Sequence, residues 1–202
     1  MKHRIIFATG NEGKMKEIRM ILADLGMEIL SMKEAKVRLE IEENGSTFGE
    51  NAEIKAQAVW NITKDIVLAD DSGLAVDYLN GEPGVYSARY MEGDSYEVKN
   101  RTIIERLKDA KEEERTARFV CAIAAVLPDG SVLHTEECVE GLIAHEPAGT
   151  NGFGYDPIFY LPEYGKTSAQ IPLEKKNEIS HRGKALEAMK LKLKEVLQGE
   201  NQ

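Results

Sequence analysis

The sequence predicts an α/β fold built around a mixed β-sheet, and two observations lead to that class. Near the N-terminus, the apolar strand pattern over 5–8 is followed by a glycine-bearing loop and a helical pattern, the order of a parallel βα unit. Further along, strand-like segments over 117–127 and 131–144 flank Pro128-Asp129-Gly130, which is typical of a hairpin turn. A sheet that contains both kinds of connection is mixed.

The other elements follow from apolar spacing and capping residues. In chain order the pattern predicts a helix over 15–25, a short strand over 27–31, a charged connection over 33–43, a helix over 47–63, a strand over 66–70, a helix over 98–107 and a closing amphipathic helix over 181–197. Thr47 is the expected N-cap of its helix, with Glu50 as the partner in a capping box. The helix over 98–107 can run on into 108–114, a charge run typical of a solvated face.

Composition narrows the class of protein. With 202 residues, 42% of them hydrophobic, the chain can bury a core, and we expect one domain over 1–202 with room for two lobes. The net charge of -9 argues against a broad nucleic-acid surface. No apolar run is long enough to target or cross a membrane. Cys121 and Cys138 lack metal-ligand spacing, so we interpret them as small hydrophobes in a reducing cytoplasm, although a disulfide between them stays open.

The most informative stretch is Asp70-Asp71-Ser72-Gly73, directly after the apolar run 66–69. Two adjacent carboxylates at the mouth of a buried strand are costly unless a cation pairs with them, and Mg²⁺ prefers such oxygens. The following Ser and Gly would let the chain turn sharply and present donors to an anion. Taken alone, the stretch fits an ordinary acidic turn equally well.

A second candidate site is the loop Thr9-Gly10-Asn11-Glu12-Gly13-Lys14, between the first strand and the first helix. A strand, a glycine-bearing loop and a helix N-terminus together form a common phosphate site, to which Lys14 adds a charge. The loop is not a Walker A motif, because its glycine spacing is too short and Met15 follows the lysine. A generic βα turn is the alternative.

Three further segments are dense in chemically useful residues. Glu42-Glu43 precedes the second helix and offers either a metal ligand or exposed loop charge. The loop 152–157 combines glycines, aromatic rings and one aspartate, which suits a flat base as well as a tight packed turn. Lys176 and Ser180-His181-Arg182 stand before the last helix, where positive charge opposes the helix dipole unless an anion binds there.

Together these stretches resemble the inosine triphosphate pyrophosphatase family. The matching segments, in the family's order, are Ala8-Thr9-Gly10-Asn11-Glu12-Gly13-Lys14, Thr47-Phe48-Gly49-Glu50-Asn51-Ala52, Leu68-Ala69-Asp70-Asp71-Ser72-Gly73-Leu74, Gly81-Glu82-Pro83-Gly84-Val85-Tyr86-Ser87-Ala88-Arg89-Tyr90, Gly152-Phe153-Gly154-Tyr155-Asp156-Pro157-Ile158-Phe159 and Ile179-Ser180-His181-Arg182-Gly183-Lys184-Ala185-Leu186. They span nearly the whole chain, and an ordered set of six is very specific.

The resemblance implies a long twisted mixed sheet with flanking helices and two lobes around a central nucleotide cleft. It implies Mg²⁺-dependent hydrolysis of purine nucleoside triphosphates to a monophosphate and pyrophosphate, by a cytoplasmic homodimer. By this resemblance Asp71 is the catalytic residue, and Glu42, or alternatively Glu43, joins Asp71 as a metal ligand, with Asp70 as a further possible one. The implied substrate ligands are Thr9, Gly10, Asn11, Glu12, Gly13, Lys14, Lys55, Ser72, Phe153, Gly154, Tyr155, Asp156, Lys176, His181 and Arg182.

Two other functions compete with this one. In the first, Asp70 or Asp71 attacks as a nucleophile and forms an aspartyl-phosphate, which labelled water would distinguish within one turnover. In the second, the chain is a nucleotide-binding module without activity. Neither alternative accounts for the joint presence of all six segments.

Overall fold

The computed structural model describes residues 4–199. These residues divide into two compact units. The first unit comprises 4–71, Cys121–Glu137 and 182–199, and the second comprises Ser72–Val120 and Cys138–His181.

The strands form one mixed sheet, as the sequence predicts. Those within 4–199 are β1 (Arg4–Phe7), β2 (Glu28–Ser31), β3 (Ile66–Val76), β4 (Thr116–Val126), β5 (Val132–Ile143), β6 (Phe159–Leu161) and β7 (Lys166–Thr167). Their order in the sheet is β2-β1-β3-β4-β5-β6-β7. β1 pairs in parallel with β2 and β3, whereas β6 pairs antiparallel with both β5 and β7. The predicted hairpin is present, since the neighbours β4 and β5 are joined by a short turn closed between Leu127 and Ser131.

The helices described within 4–199 are α1 (Glu12–Leu22), α2 (Phe48–Thr63), α3 (Tyr96–Arg106), α4 (Leu173–Ile179) and α5 (His181–Gly199). Four of them lie close to the predicted positions, whereas α4 was not predicted from the sequence. The predicted capping box is confirmed: Thr47 Oγ1 accepts from Glu50 N at 3.1 Å, and the Glu50 carboxylate accepts from Thr47 N at 3.2 Å. None of the helices in this part of the chain is long and apolar enough to span a membrane.

Two expectations about element ends are wrong. α3 stops at Arg106 instead of continuing through the charge run, where only a short 3-10 turn, Glu112–Glu114, forms. β3 does not turn at Ser72-Gly73 but continues to Val76. The reason is packing, because Leu74 and Val76 are fully buried and this burial outweighs the weak strand preference of Gly73.

The first unit has helices on both faces of its strands. Successive strand residues point to opposite faces, so Ile66 and Leu68 of β3 join the core formed with α1 and α5, while Val67 and Ala69 join the core formed with α2. β1 and β4 alternate in the same way. Both faces are thereby covered by apolar side chains, which is the arrangement of an α/β fold.

The second unit has its own core around α3, the outer parts of β3 to β5, and β6. The side chain of Arg115 is almost fully buried there, and it donates to the carbonyl oxygens of Leu107, Ile143 and Ala144 at 2.8–3.0 Å. These hydrogen bonds satisfy carbonyl groups at the end of α3 and at the end of β5. The buried guanidinium thereby links the two elements through their backbones.

The N-cap of α2 offers a direct stability test. The substitution Thr47→Ala removes the hydroxyl that satisfies the Glu50 amide, and we expect it to lower the free energy of unfolding by about 1 kcal/mol. Thr47→Ser keeps the hydroxyl and is the matched control, with a loss well below that of the alanine variant. Urea unfolding followed by circular dichroism measures both, and equal losses for Ala and Ser would show that the cap bond contributes nothing.

Candidate active site

The two aspartates of β3 are consecutive, so their side chains lie on opposite faces of the strand. Asp70 continues the face of Ile66 and Leu68, toward α1 and α5, and Asp71 continues the face of Val67 and Ala69, toward α2. The two carboxylates therefore meet different charged groups and acquire different chemistry.

Asp70 is buried in a network of ion pairs in which carboxylates and cations alternate. Its carboxylate is 1% exposed and lies 3.0 Å from Lys14 Nζ and 3.3 Å from Arg182 Nε. The guanidinium of Arg182 in turn pairs with Glu17 at 2.7 Å. Burial by itself would raise the pKa of Asp70, but the positive charges of Lys14, Arg182 and Lys55 outweigh it and hold that pKa well below its ordinary value. Asp70 is therefore a firmly ionised anchor whose oxygens are engaged by cations.

Asp71 is less well compensated. One oxygen accepts from Asn51 Nδ2 at 3.1 Å, and the other lies 3.7 Å from Lys55 Nζ. Burial raises the pKa of Asp71 above its ordinary value, because Lys55 and Asn51 offset only part of the desolvation. The side chain is thus a carboxylate whose proton affinity is raised by its surroundings.

Glu43, not Glu42, is the loop carboxylate that reaches this cluster. Glu43 binds the ammonium group of Lys55 at 2.9 Å, whereas Glu42 has an exposed side chain. Burial alone would lower the pKa of Lys55, but Asp70, Asp71 and Glu43 together raise it. Which of the two glutamates is a metal ligand stays a prediction, but Glu43 is the one that shares Lys55 with Asp71.

Asn51 ties the acidic loop to β3. Its Oδ1 accepts from Gly45 N at 2.8 Å while its Nδ2 donates to Asp71. A Cβ at Gly45 would stand 2.7 Å from Asn51 Oδ1, so only glycine allows this approach. One turn further along α2, Lys55 lies on the same helix face as Asn51, which explains why both reach Asp71.

The predicted phosphate loop precedes α1. Asn11 is the N-cap, and its side chain accepts from Lys14 N at 3.2 Å, while Thr9 Oγ1 accepts from Asn11 N at 3.1 Å. Residues 10–13 are exposed, so the positive end of the helix dipole is open to a ligand. Lys14 Nζ, held by Asp70, stands beside this end of the helix.

Carboxylates and cations of the first unit are interleaved. Lys14 and Arg182 pair with Asp70, Arg182 also pairs with Glu17, and Lys55 lies between Glu43 and Asp71. Within 4–199 no three or more His, Cys, Asp or Glu side chains are grouped as metal ligands. The pair Glu43 and Asp71 instead converges on one ammonium group.

In the second unit, Asp156 organises the loop that carries Phe153. The carboxylate is 3% exposed, and its Oδ2 accepts from Phe153 N at 2.9 Å and from Lys176 Nζ at 2.8 Å. Its Oδ1 accepts from Ser168 Oγ at 2.9 Å. Both oxygens thus receive donors from the protein, which makes Asp156 a structural centre of the loop.

The rest of the loop is fixed by close contacts. Gly152 has a positive φ of +73°, and a Cβ there would stand 2.2 Å from Asp156 Oδ2, so no other residue fits. The half-buried ring of Phe153 lies with its centroid 5.0 Å from Lys176 Nζ. Tyr155 is buried and donates to the Ser87 carbonyl at 2.7 Å, while the Gly154 carbonyl accepts from Asn100 Nδ2 at 3.1 Å.

The first two residues of α5 belong to different units. His181 lies in the second unit, where its ring stacks on Phe119 with centroids 4.7 Å apart. Arg182 lies in the first, paired with Asp70 and Glu17. The half-buried Ser72 follows Asp71 on β3.

Several residues of these clusters are not among the sequence candidates. Glu17 and Ser168 carried no local signal, because an acidic residue in a helix and a serine before a loop are ordinary. Asn51 stands in one of the matched segments, four residues before Lys55 on the predicted helix. A polar residue at that spacing from a candidate ligand is a usable signal.

These features define an α/β protein whose first unit is suited to a phosphorylated ligand. Residues 5–192 match the Ham1 family, and the chain belongs to that family. A Listeria innocua protein named dITP/XTP pyrophosphatase is 47% identical over 196 residues, covering 96% of this chain and 97% of that protein.

Two solved structures support the same assignment. A Ham1 protein from Coxiella burnetii has a TM-score of 0.87 and 41% identity, over 96% of this chain and 99% of its own. The Staphylococcus aureus Ham1 protein has a TM-score of 0.84 and 41% identity, over 95% of this chain and 98% of its own. The family resemblance and the fold class inferred from the sequence are thereby confirmed.

The contrast between the two aspartates predicts opposite effects on stability. The folded protein lowers the pKa of Asp70, so its ionised form stabilises the fold above the ordinary aspartate pKa, and Asp70→Asn should cost about 3–5 kcal/mol at pH 7. The folded protein raises the pKa of Asp71, so ionised Asp71 opposes folding above that raised value. Asp71→Asn should therefore increase the free energy of unfolding at pH 7.

Urea unfolding in the presence of a chelator, at pH 7 and at about pH 4, measures both variants. The gain from Asp71→Asn should shrink toward pH 4, where the wild-type side chain takes up its proton in the folded state. The loss from Asp70→Asn should persist there, because its lowered pKa keeps it ionised. Effects of the same sign at pH 7 would contradict the assignment.

Proposed function

We propose that this chain hydrolyses nonstandard purine nucleoside triphosphates, namely ITP, dITP and XTP, between the α- and β-phosphates. The products are a nucleoside monophosphate and pyrophosphate. The observation that carries the proposal is the convergence of Asp71 and Glu43 on Lys55, within a member of the Ham1 family. The near half identity to a protein named dITP/XTP pyrophosphatase supports the substrate class.

The donor set around Asp71 fits Mg²⁺. Mg²⁺ is commonly bound by one or two carboxylates together with waters and substrate phosphates, instead of by a full protein cage. Asp71 and Glu43 are such a pair, since both carboxylates converge on Lys55, and they would supply the oxygen ligands of the ion. When bound there, the ion would neutralise phosphate oxygens and lower the pKa of a coordinated water.

Asp71 is the proposed proton acceptor. In the reaction, the bond between the α- and β-phosphates breaks, water supplies the new oxygen, and a proton leaves that water. Burial raises the pKa of Asp71 in the metal-free protein, whereas a bound Mg²⁺ would lower it, so orienting the water is the larger part of the proposed role. Asn51 holds the orientation of the carboxylate by donating to Oδ2, which leaves the other oxygen toward Lys55.

The triphosphate is assigned to the cationic groups of the first unit and to the start of α1. Backbone donors of the loop Thr9 to Gly13 lie at the positive end of that helix. Lys14 and Lys55 are already paired with carboxylates, so much of the cost of removing water from their ammonium groups is already met in the folded protein. A bound phosphate would accept further hydrogen bonds from the same ammonium groups. Ser72, which follows Asp71 on β3, is assigned a phosphate contact through its hydroxyl.

The base is assigned to Phe153, Lys176 and His181 of the second unit. Phe153 would stack on the purine, and the cationic or N–H-bearing side chains would donate to the keto oxygen at the purine 6-position. Adenosine presents an amino donor there, so the donors of the site would face another donor. Leaving buried polar groups unpaired can give discrimination of ~10⁴ or more.

Asp156 and Tyr155 take a different role from the one expected of direct ligands. The protein's own donors occupy both carboxylate oxygens of Asp156, and the Tyr155 hydroxyl is used by the Ser87 carbonyl. We assign both to shaping the loop around Phe153 and Gly154. The homodimer and the cytoplasmic location stay predictions.

A nucleotide panel tests the proposed function. With Mg²⁺, pyrophosphate should be released from ITP, dITP and XTP much faster than from ATP, and a chelator should abolish the release. Asp71→Asn should remove turnover while the protein stays folded, because the change is nearly isosteric but removes a metal ligand and the proton acceptor. Release of phosphate instead of pyrophosphate, or normal turnover by the folded variant, would refute the proposal.

A pair of variants separates stacking from base recognition. Phe153→Ala should weaken all purine triphosphates to a similar degree, by ~1–3 kcal/mol, because stacking does not read the base edge. His181→Ala should lower kcat/KM for ITP much more than for ATP, since a donor helps only where the base offers an acceptor. Steady-state kinetics with ITP and with ATP gives kcat/KM for the wild type and for each variant. An unchanged ITP to ATP ratio in His181→Ala would remove His181 from base recognition.

A further inference from the structure

The loop that carries Phe153 depends on the orientation of one buried carboxylate. Asp156 Oδ2 receives two donors at once, the Phe153 backbone N–H and the Lys176 ammonium. The terminal torsion of an aspartate side chain has a broad energy profile. A donor on Oδ1 therefore adds a constraint on the plane of the carboxylate and so on the direction of Oδ2.

Ser168 is the residue that holds Oδ1. Its hydroxyl donates to Asp156 Oδ1 at 2.9 Å, and the side chain is 6% exposed. A hydrogen bond from a buried hydroxyl to an ionised carboxylate is stronger than one between neutral groups. The bond thus holds Oδ1 in place and helps to keep Oδ2 directed toward the Phe153 amide and the Lys176 ammonium group.

The backbone around Ser168 is itself rigidly attached to the base of the loop. Ser168 opens the short 3-10 turn Ser168–Gln170, in which Thr167 and Gln170 form a capping box. The carbonyl of Ala169 accepts from Asn151 N at 2.9 Å, and a Cβ at Gly149 would stand 2.3 Å from the Ala169 backbone. The backbone that carries the Ser168 hydroxyl is therefore held in place by these contacts.

We propose that Ser168 is a positioning residue for base recognition: by fixing Asp156 it sets where the Phe153 ring and the Lys176 ammonium stand. The proposal rests on the proposed function, because it takes Phe153 and Lys176 as the groups that meet the base. Ser168 acts through Asp156 and not on the reacting atoms.

Hydrogen exchange tests the positioning without any nucleotide. In Ser168→Ala, the amides of 153–156 should exchange faster than in the wild type, while those of 9–14 should be unchanged. Ser131→Ala is the matched control, since Ser131 also donates to an aspartate, Asp129, at 2.7 Å, but in the exposed hairpin turn. The control should leave both segments unchanged. Unchanged exchange at 153–156 in Ser168→Ala would overturn the proposal.

Steady-state kinetics tests the consequence. Ser168→Ala should raise KM for ITP by roughly 2- to 12-fold, the range for one lost hydrogen bond, with kcat little changed. The inhibition constant of pyrophosphate, which carries no base, should stay as in the wild type. If that constant changes together with KM, Ser168 has a general structural role and the proposal is overturned.

A double-variant cycle shows whether Ser168 acts through Asp156. Once Asp156→Asn is present, adding Ser168→Ala should change KM little further, whereas additive effects would overturn the proposal. If Ser168→Ala does not fold, Ser168→Cys replaces it, because it keeps the volume and offers only a weak donor. If the wild type cleaves no nonstandard nucleotide, the proposed function fails, and hydrogen exchange still decides the role of Ser168.

Discussion

The buried carboxylate of Asp70 imposes the constraint on which the first unit depends. An ionised group this far from water costs several kcal/mol unless cations and hydrogen-bond donors surround it. Lys14 and Arg182 meet that need from α1 and α5, the latter 112 residues away in sequence. Glu17 then neutralises the buried Arg182. Helices from both ends of the chain are thereby fixed against β3 in one relative position.

The same part of the sheet gives two neighbouring aspartates different surroundings. Asp70 faces two cations, whereas Asp71, on the opposite face of β3, faces Asn51 and a lysine that it shares with Glu43. Their pKa values accordingly move in opposite directions. A strand can hold such a contrast between adjacent residues because its side chains alternate, and a helix could not.

In the second unit a carboxylate again determines the local structure, but through hydrogen bonds to the backbone. Asp156 accepts hydrogen bonds from Lys176, Ser168 and the Phe153 amide. Its carboxylate lies so close to Gly152 that a side chain there would clash with it. A polar group whose partners are all supplied by the protein stiffens its surroundings. The Phe153 ring is therefore carried by a loop that the protein itself holds in place. Under the proposed function, this preorganisation would reduce the entropy cost of binding a flat base.

Much of the fold and many of the candidate residues follow from local pattern. The periodicities of α1 and α2, the capping box at Thr47 and the hairpin between β4 and β5 depend on residues near one another in the chain, and each was predicted. The ordered segments were also sufficient to identify the family. Local pattern failed for the end of β3, because the burial of Leu74 and Val76 depends on elements remote in sequence.

The division of roles among the acidic residues required the tertiary structure. The sequence of two adjacent acidic residues does not determine which of the two faces a cation. For Asp70 and Asp71 this depends on what packs against each face of β3, and for Glu42 and Glu43 it depends on the path of the loop. The structure assigns Asp70 to a buried ion-pair network, brings Glu43 instead of Glu42 to Lys55, and fills both oxygens of Asp156 with protein donors. Charge compensation and hydrogen-bond saturation are properties of the folded neighbourhood, so they are decided only when distant segments meet.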